Sequence, residues 1–383
     1  METSQAMDPS LEALRDLVQT HPAIDNHAHN ILTADNALKY SKYPLELLTT
    51  EARGSAIDAA RTTLPHYRAV RELADFFECE AEWEAIKRAR EVWVKRDYVG
   101  LVKECLVGTH QLLLDDLLTQ DEVEPYAWHH QFTAVHTRRI IRIEALASAI
   151  LKVPEVEADP KTEWDRFQQM FTTAIQRAIQ NPKVVGFKSV IGYRTGLQVD
   201  VDIKQKDLDR RSFELLDDID PERIASKPFN DWLVVHTVGL LRGSHKPIQF
   251  HTGLGDSDLI LTKANPAYLQ PLIAGYPDVD FVLLHSSYPD TRHGGYLSCV
   301  YPNVYLDLGE VFGMLSRDAE ESVIRQSLEL TPMSRLLWST DGHFHPESFW
   351  VASRHFRDAL ERVSAVWSLL FAFPPRLVTD PYS

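Results

Sequence analysis

The sequence predicts an α/β protein, a (β/α)8 TIM barrel with a helical insertion after its first strand. Three observations carry that prediction. Eight short β-rich runs are spread along the chain, each is followed by a loop and a helix-like stretch, and several are continuously apolar rather than alternating. Parallel strands covered on both faces read as unbroken apolar runs. Alternating strand and helix patterns signal βα units, and eight such units close a barrel.

The first run is PAIDNH, around residues 22–27, and it leads straight into the motif AIDNHAHN. A long polar and amphipathic region follows, with helical spacing in EAEWEAIKRAREVWVKRDYVGLVKECL. More than eighty residues separate the first run from the second, far more than one βα unit requires. Residues 34–106 are therefore expected to form a helical insertion packed over the mouth of the barrel. The later runs are HQLLLDD (110–116), RRIIRIE (138–144), VVGFKSV (184–190), KPIQFH (246–251), VDFVLLH (279–285), NVYLDLG (303–309) and RLLWST (335–340). Residues 1–383 are expected to make one barrel domain.

Composition narrows the setting. At 383 residues and 44% hydrophobic, the chain has ample material for a large core. Its 55 acidic against 40 basic residues give a net charge of -15, which disfavours nucleic acid and anionic membrane as partners. The cysteines, Cys79, Cys105 and Cys299, are far apart, so no disulfide framework or zinc knuckle is suggested and a reducing compartment fits best. METSQAMDPSLEAL lacks the basic and apolar regions of a secretory signal, and no stretch approaches the ~18 apolar residues of a membrane span. The expectation is a soluble cytoplasmic protein with a small-molecule substrate, with homo-oligomerisation left open.

The chemistry sits at the C-terminal ends of the runs, where barrel enzymes place it. His27 and His29 stand at i and i+2, so in an extended strand their side chains share a face and can converge on a divalent metal. Lys188 lies in strand 4, and His251, His285 and Asp341 end strands 5, 6 and 8. One such histidine is ordinarily a core or turn residue. Four histidines and an aspartate, each at a strand end, are not.

That ordered set, with GFK, QFHTG, LLH, NVYLDLG and STDGH around it, resembles the amidohydrolase superfamily and, within it, the amidohydrolase-2 branch. IDNHAHN, VVGFKSVIGYRTGL and RIIRIE are similar to the FluG-type, nodulin-like amidohydrolase domain, which often precedes a type I glutamine synthetase domain. The resemblance runs from about residue 10 to about residue 365. Beyond FRDALERV the family's closing helices are not evident. SAVWSLLFAFPPRLVTDPYS reads as an apolar patch and a polar end, so residues 366–383 are expected to be an atypical tail and the packing of the last barrel helix is placed in doubt.

The donor types suit Zn²⁺, with Mn²⁺ or Fe²⁺ as alternatives. His27, His29, His251 and Asp341 suffice for one ion and an open position. Asp341 is then the general base, and His285 either polarises the substrate or binds a second ion. Lys188 separates one ion from two. It is either paired with a carboxylate, with Glu144 one candidate, or carbamylated to bridge two ions, as the superfamily does in some branches. Arg194, Tyr193 and Arg142 are candidate contacts for a substrate carboxylate, with Asp115, Asp116 and Glu144 as internal acids that could claim the arginines instead. His343 and His345 are expected to lie behind the site or in solvent, and His129 and His130 carry no assignment. The leading expectation is hydrolysis of a C–N bond in a small carboxylate-bearing amide, with a γ-glutamyl compound suggested only by the family's synthetase association. Non-oxidative decarboxylation on the same site and a scaffold role with weak or lost activity stand as alternatives.

Overall fold

A computed structural model describes residues 9–116, 121–153, 160–203 and 220–371. All eight predicted runs are strands: β1 (Ala23–Ala28), β2 (Thr109–Asp115), β3 (Arg138–Arg142), β4 (Val184–Ser189), β5 (Ile248–Phe250), β6 (Phe281–Leu283), β7 (Val304–Asp307) and β8 (Leu336–Leu337). They pair in chain order, each parallel to the next. β8 is shorter than the predicted 335–340. The backbone beyond it still closes the ring, because Asn26 N–H donates to the Trp338 carbonyl at 3.1 Å and Asp341 N–H to the His27 carbonyl at 3.0 Å.

The apolar runs do what their composition requires. β5 and β6 are buried at every position, which is why their sequences show no alternation. Outside the ring, Phe187, Phe250 and Phe281 pack against Phe167, Phe171 and Phe229 from the surrounding helices. Register then sets the interior: Arg142 pairs with Lys188, and Lys188 with Gln249, so three polar side chains from β3, β4 and β5 lie in one row.

Between β1 and β2 the chain builds the helices Ala56–Ala60, Leu64–Phe76 and Trp83–Cys105. The last is broken at Asp97, whose carboxylate accepts from Gly100 N–H at 2.8 Å and so caps the second half. The insertion has a core of its own: Leu45, Leu73, Ile86 and Leu101 pack with Leu112 and Leu114 of β2 and with Phe349. It also crosses to the far side of the ring, where Arg53 meets Asp256, beyond β5, at 2.8 Å.

The insertion is bound to the loop after β8 by a fully buried arginine. Arg90 donates to Glu347 at 2.6 Å, to the Ala37 carbonyl at 2.8 Å and to His345 Nδ1 at 3.2 Å. The final helix, Pro346–Phe371, continues through SAVWSLLF, and the rest of the expected tail, 372–383, lies outside the described residues. Among the described residues no helix is long and apolar enough to cross a membrane.

Candidate metal centre

The barrel seam assembles the centre. Because β8 closes on β1, Asp341 is fastened directly to the histidine motif. His27 Nε2 and His29 Nε2 lie 3.4 and 3.3 Å from the same atom, Asp341 Oδ1. Lys188 Nζ is 2.8 Å from His27 Nε2, the His27 and His285 rings are 6.0 Å apart, and the His285 and His251 rings 4.3 Å. His27, His29, Lys188, His251, His285 and Asp341 therefore share one buried space.

The hydrogen bonds around the two motif histidines fix their tautomers. Gln249 Nε2 donates to the Asn26 carbonyl at 3.0 Å, which turns Gln249 Oε1 toward His27 Nδ1 at 2.8 Å. That oxygen can only accept, so His27 carries its proton on Nδ1. His29 Nδ1 likewise donates to the Asp115 carbonyl at 3.1 Å. Both Nε2 atoms therefore present lone pairs to Asp341 Oδ1, which is buried and without a hydrogen bond. Lys188 Nζ donates to His27 Nε2 at 2.8 Å, but no proton lies between His29 Nε2 and Asp341 Oδ1, two acceptors that repel one another unless a cation joins them. A tetrahedral ion with bonds of about 2.0–2.1 Å has a donor–donor edge of about 3.3 Å, which these separations match. The donor set fits a divalent metal.

Protonation agrees with that reading. Burial, with Lys188 adding to it, holds the His27 imidazole well below its ordinary value, and burial lowers His29 as well, so both are neutral at pH 7. Burial pushes His285 down to about 3. Burial would raise the Asp341 carboxyl, but the imidazoles of His285, His29 and His27 hold it well below the carboxylate range. His285 and Asp341 sit on left-handed backbone, with φ of 63° and 52°. Such strain in non-glycine residues costs about 1–3 kcal/mol each and gathers where geometry serves function.

Lys188 is paired, but its carboxylate is Asp115, 3.8 Å away, rather than Glu144. Successive residues of β4 face opposite sides, so Glu144 meets Ser189 instead, at 2.6 Å. Arg142 directs both Nε and Nη2 at Asp115 Oδ2, 2.9 and 2.6 Å away, and Arg139 pairs with Asp116. Arg194 is half-buried, and its guanidinium has no hydrogen-bond or ion-pair partner among the described residues, while the Tyr193 ring lies 4.4 Å from that of His251. His343 Nδ1 donates to the Asp341 carbonyl, and His345 is buried against Arg90 and the Tyr43 carbonyl. The unassigned His129 is buried too, and its Nε2 accepts from Ile31 N–H just past the histidine motif.

Three further residues bear on the centre. Gln249 stands two residues before His251, so the same i, i+2 rule that pairs His27 with His29 was available to find it. Glu310, beyond β7, brings Oε2 within 3.1 Å of His285 Nδ1, and Glu51 arrives from the insertion into the electrostatic neighbourhood of Asp341, Asp256 and His343. Neither acid has a periodic signature.

Known proteins share the sequence and the fold. The chain is 53% identical to protein fluG of Emericella nidulans, a match that takes in 92% of this chain but 43% of that protein. Among solved structures, a Lactobacillus casei protein assigned as a metal-dependent hydrolase superposes with a TM-score of 0.76 at 21% identity, covering 91% of this chain and 89% of the other. A uronate isomerase from Bacillus halodurans superposes with a TM-score of 0.62 at 13% identity, covering 96% and 92%, and at such identities the likeness is one of fold. The amidohydrolase family model matches residues 164–367. Running from before β4 to the final helix, that match spans more than half of the sequence, and the chain belongs to the amidohydrolase family.

Proposed function

We propose that this enzyme hydrolyses an amide-type C–N bond in a small substrate carrying a carboxylate, with Zn²⁺ as its divalent ion. One observation carries the reading: the unprotonated Nε2 atoms of His27 and His29 converge on Asp341 Oδ1, itself buried and without a partner. His27, His29 and Asp341 would hold the ion, which would supply Lewis acidity that makes water acidic near pH 7. Asp341, held ionised, accepts the proton of the attacking water and returns it to the leaving nitrogen. His285 is placed to polarise the scissile carbonyl. Arg194, a half-buried cation with no partner among the described residues, is suited to a substrate carboxylate, and Tyr193 forms the adjoining wall. Arg142, committed to Asp115, acts behind the site. A cytoplasmic location belongs to the same proposal and is supported by the three free cysteines.

The test pairs wild type with Asp341→Asn on a panel of N-acyl amino acids and aromatic acids, following amine release and CO₂ release in parallel. Amine release by wild type is expected, with a loss of about 10²–10⁴-fold in the folded variant. CO₂ release without amine release would replace hydrolysis by decarboxylation. Near-normal turnover in Asp341→Asn would move the base elsewhere.

A further inference from the structure

We propose that Glu310, with His251 and His285, forms a second divalent-cation site, so that the enzyme holds two ions without a lysine carbamate. The inference rests on the metal-dependent reading above and adds a donor that the strand-end pattern does not contain.

Four observations converge on it. Glu310 is buried, and its Oε2 has no hydrogen bond, although His285 Nδ1 is 3.1 Å away and itself unsatisfied. The two are close but misaligned for N–H···O, and their separation is near the ~3.3 Å donor–donor edge of a small tetrahedral ion. Second, His251 Nε2 donates to the Leu254 carbonyl at 2.7 Å, which leaves Nδ1 as the lone pair, and one donor atom from each of His251, His285 and Glu310 falls within 4.8 Å of the other two. A ring nitrogen anchored on a carbonyl while the other binds is the usual support of a ligating histidine. Third, Glu310 stands at φ 59°, as His285 and Asp341 stand at 63° and 52°. Its neighbour Gly309 is not free to be replaced, since an added Cβ would lie 2.1 Å from Ser339 Oγ. The backbone beyond β7 is thus strained at the one residue whose carboxylate it delivers to His285. Fourth, the lysine is otherwise engaged. Lys188 Nζ lies against His27 and Asp115, and Arg142 already takes up the charge of Asp115. A carbamate on Nζ would bring a second anion beside that carboxylate. Glu310 approaches from β7 and supplies an oxygen donor to His285 without crowding Asp115.

The experiment is metal stoichiometry by plasma mass spectrometry after dialysis of the full chain against Zn²⁺, with a Co²⁺ titration of chelator-stripped protein read by visible absorption. Wild type is expected to hold two ions per chain, Glu310→Gln one, and Lys188→Ala two. A wild-type value of one overturns the second site, as does a folded Glu310→Gln that keeps two. A drop to one or none in folded Lys188→Ala hands the second ion to a carbamate. No bound ion in wild type would instead remove the metal-dependent reading itself. If circular dichroism shows Glu310→Gln to be unfolded, Glu310→Asp takes its place, with weakening of the second Co²⁺ equivalent by tenfold or more expected and an unchanged second equivalent refuting the role of Glu310.

Discussion

Replacing Gln249 with leucine tests the link between the β5 interior and the metal ligands. Gln249 is 2% exposed and makes two hydrogen bonds, accepting from His27 Nδ1 at 2.8 Å and donating to the Asn26 carbonyl at 3.0 Å. Leucine fills a similar volume and makes neither. His27 then loses the acceptor that keeps its proton on Nδ1, and the tautomer with a lone pair at Nε2 is no longer imposed. Loss of such an orienting partner weakens metal binding about 10–100-fold, or about 1.4–2.8 kcal/mol. The fold loses a further amount, about 1–3 kcal/mol for each buried group left unsatisfied. Two assays separate these effects: competition for Zn²⁺ against a chromophoric chelator, and urea unfolding of the metal-free protein. Gln249→Glu keeps the acceptor oxygen and should bind Zn²⁺ within a few-fold of wild type. A folded Gln249→Leu with wild-type affinity would show that the amide does not orient His27, and the assignment of the Nε2 lone pair would lose its support.

Two other predictions concern the insertion. Arg90 and Glu347 form a buried pair at 2.6 Å, so Arg90→Met should strand the carboxylate and cost about 3–5 kcal/mol in urea unfolding, while Arg90→Met with Glu347→Leu should recover much of that. A loss under 1 kcal/mol in the single variant would mean that water reaches Glu347. His355 donates to Glu320 at 2.9 Å and to Glu72 at 2.8 Å, which requires the imidazolium, and the same acids are held by Arg68, with Arg354 and Asp358 at the edge. Burial lowers the His355 pKa, but the two carboxylates outweigh it and the net shift is upward, while Glu72 is brought down to about 2. The histidine's contribution is thus complete below about pH 6.5 and lost as pH rises through its folded pKa; that of Glu72 is complete above about pH 4.5 and lost as pH falls toward 2. The melting-temperature gap between wild type and His355→Gln should therefore narrow from pH 6 to pH 9, and a gap independent of pH would refute the charged bridge.

The sequence was sufficient for the barrel, because what makes a buried parallel strand is local. Runs such as IQF and FVLL are apolar wherever they sit, and a helix-length stretch between them leaves few alternatives to a βα unit. It was sufficient, too, to single out His27, His29, His251, His285 and Asp341 as side chains that the ring brings together, since imidazole and carboxylate at strand ends stand out whatever their neighbours. Which partner each group takes was decided only by the tertiary structure. Lys188 faces Asp115 and not Glu144 because the strand pleat points adjacent residues to opposite sides, and Arg142 is drawn to Asp115 because β2 and β3 are neighbours in the ring. Glu310 lies beyond the last periodic residue of β7, so nothing local marks it, and its carboxylate reaches His285 only through a left-handed backbone. The meeting of His27, His29 and Asp341 depends on closing β8 against β1 across more than three hundred residues of chain. Periodicity reports which face a residue occupies; hydrogen bonds, tautomers and charge pairing are distances through space, and those exist only once the ring has closed.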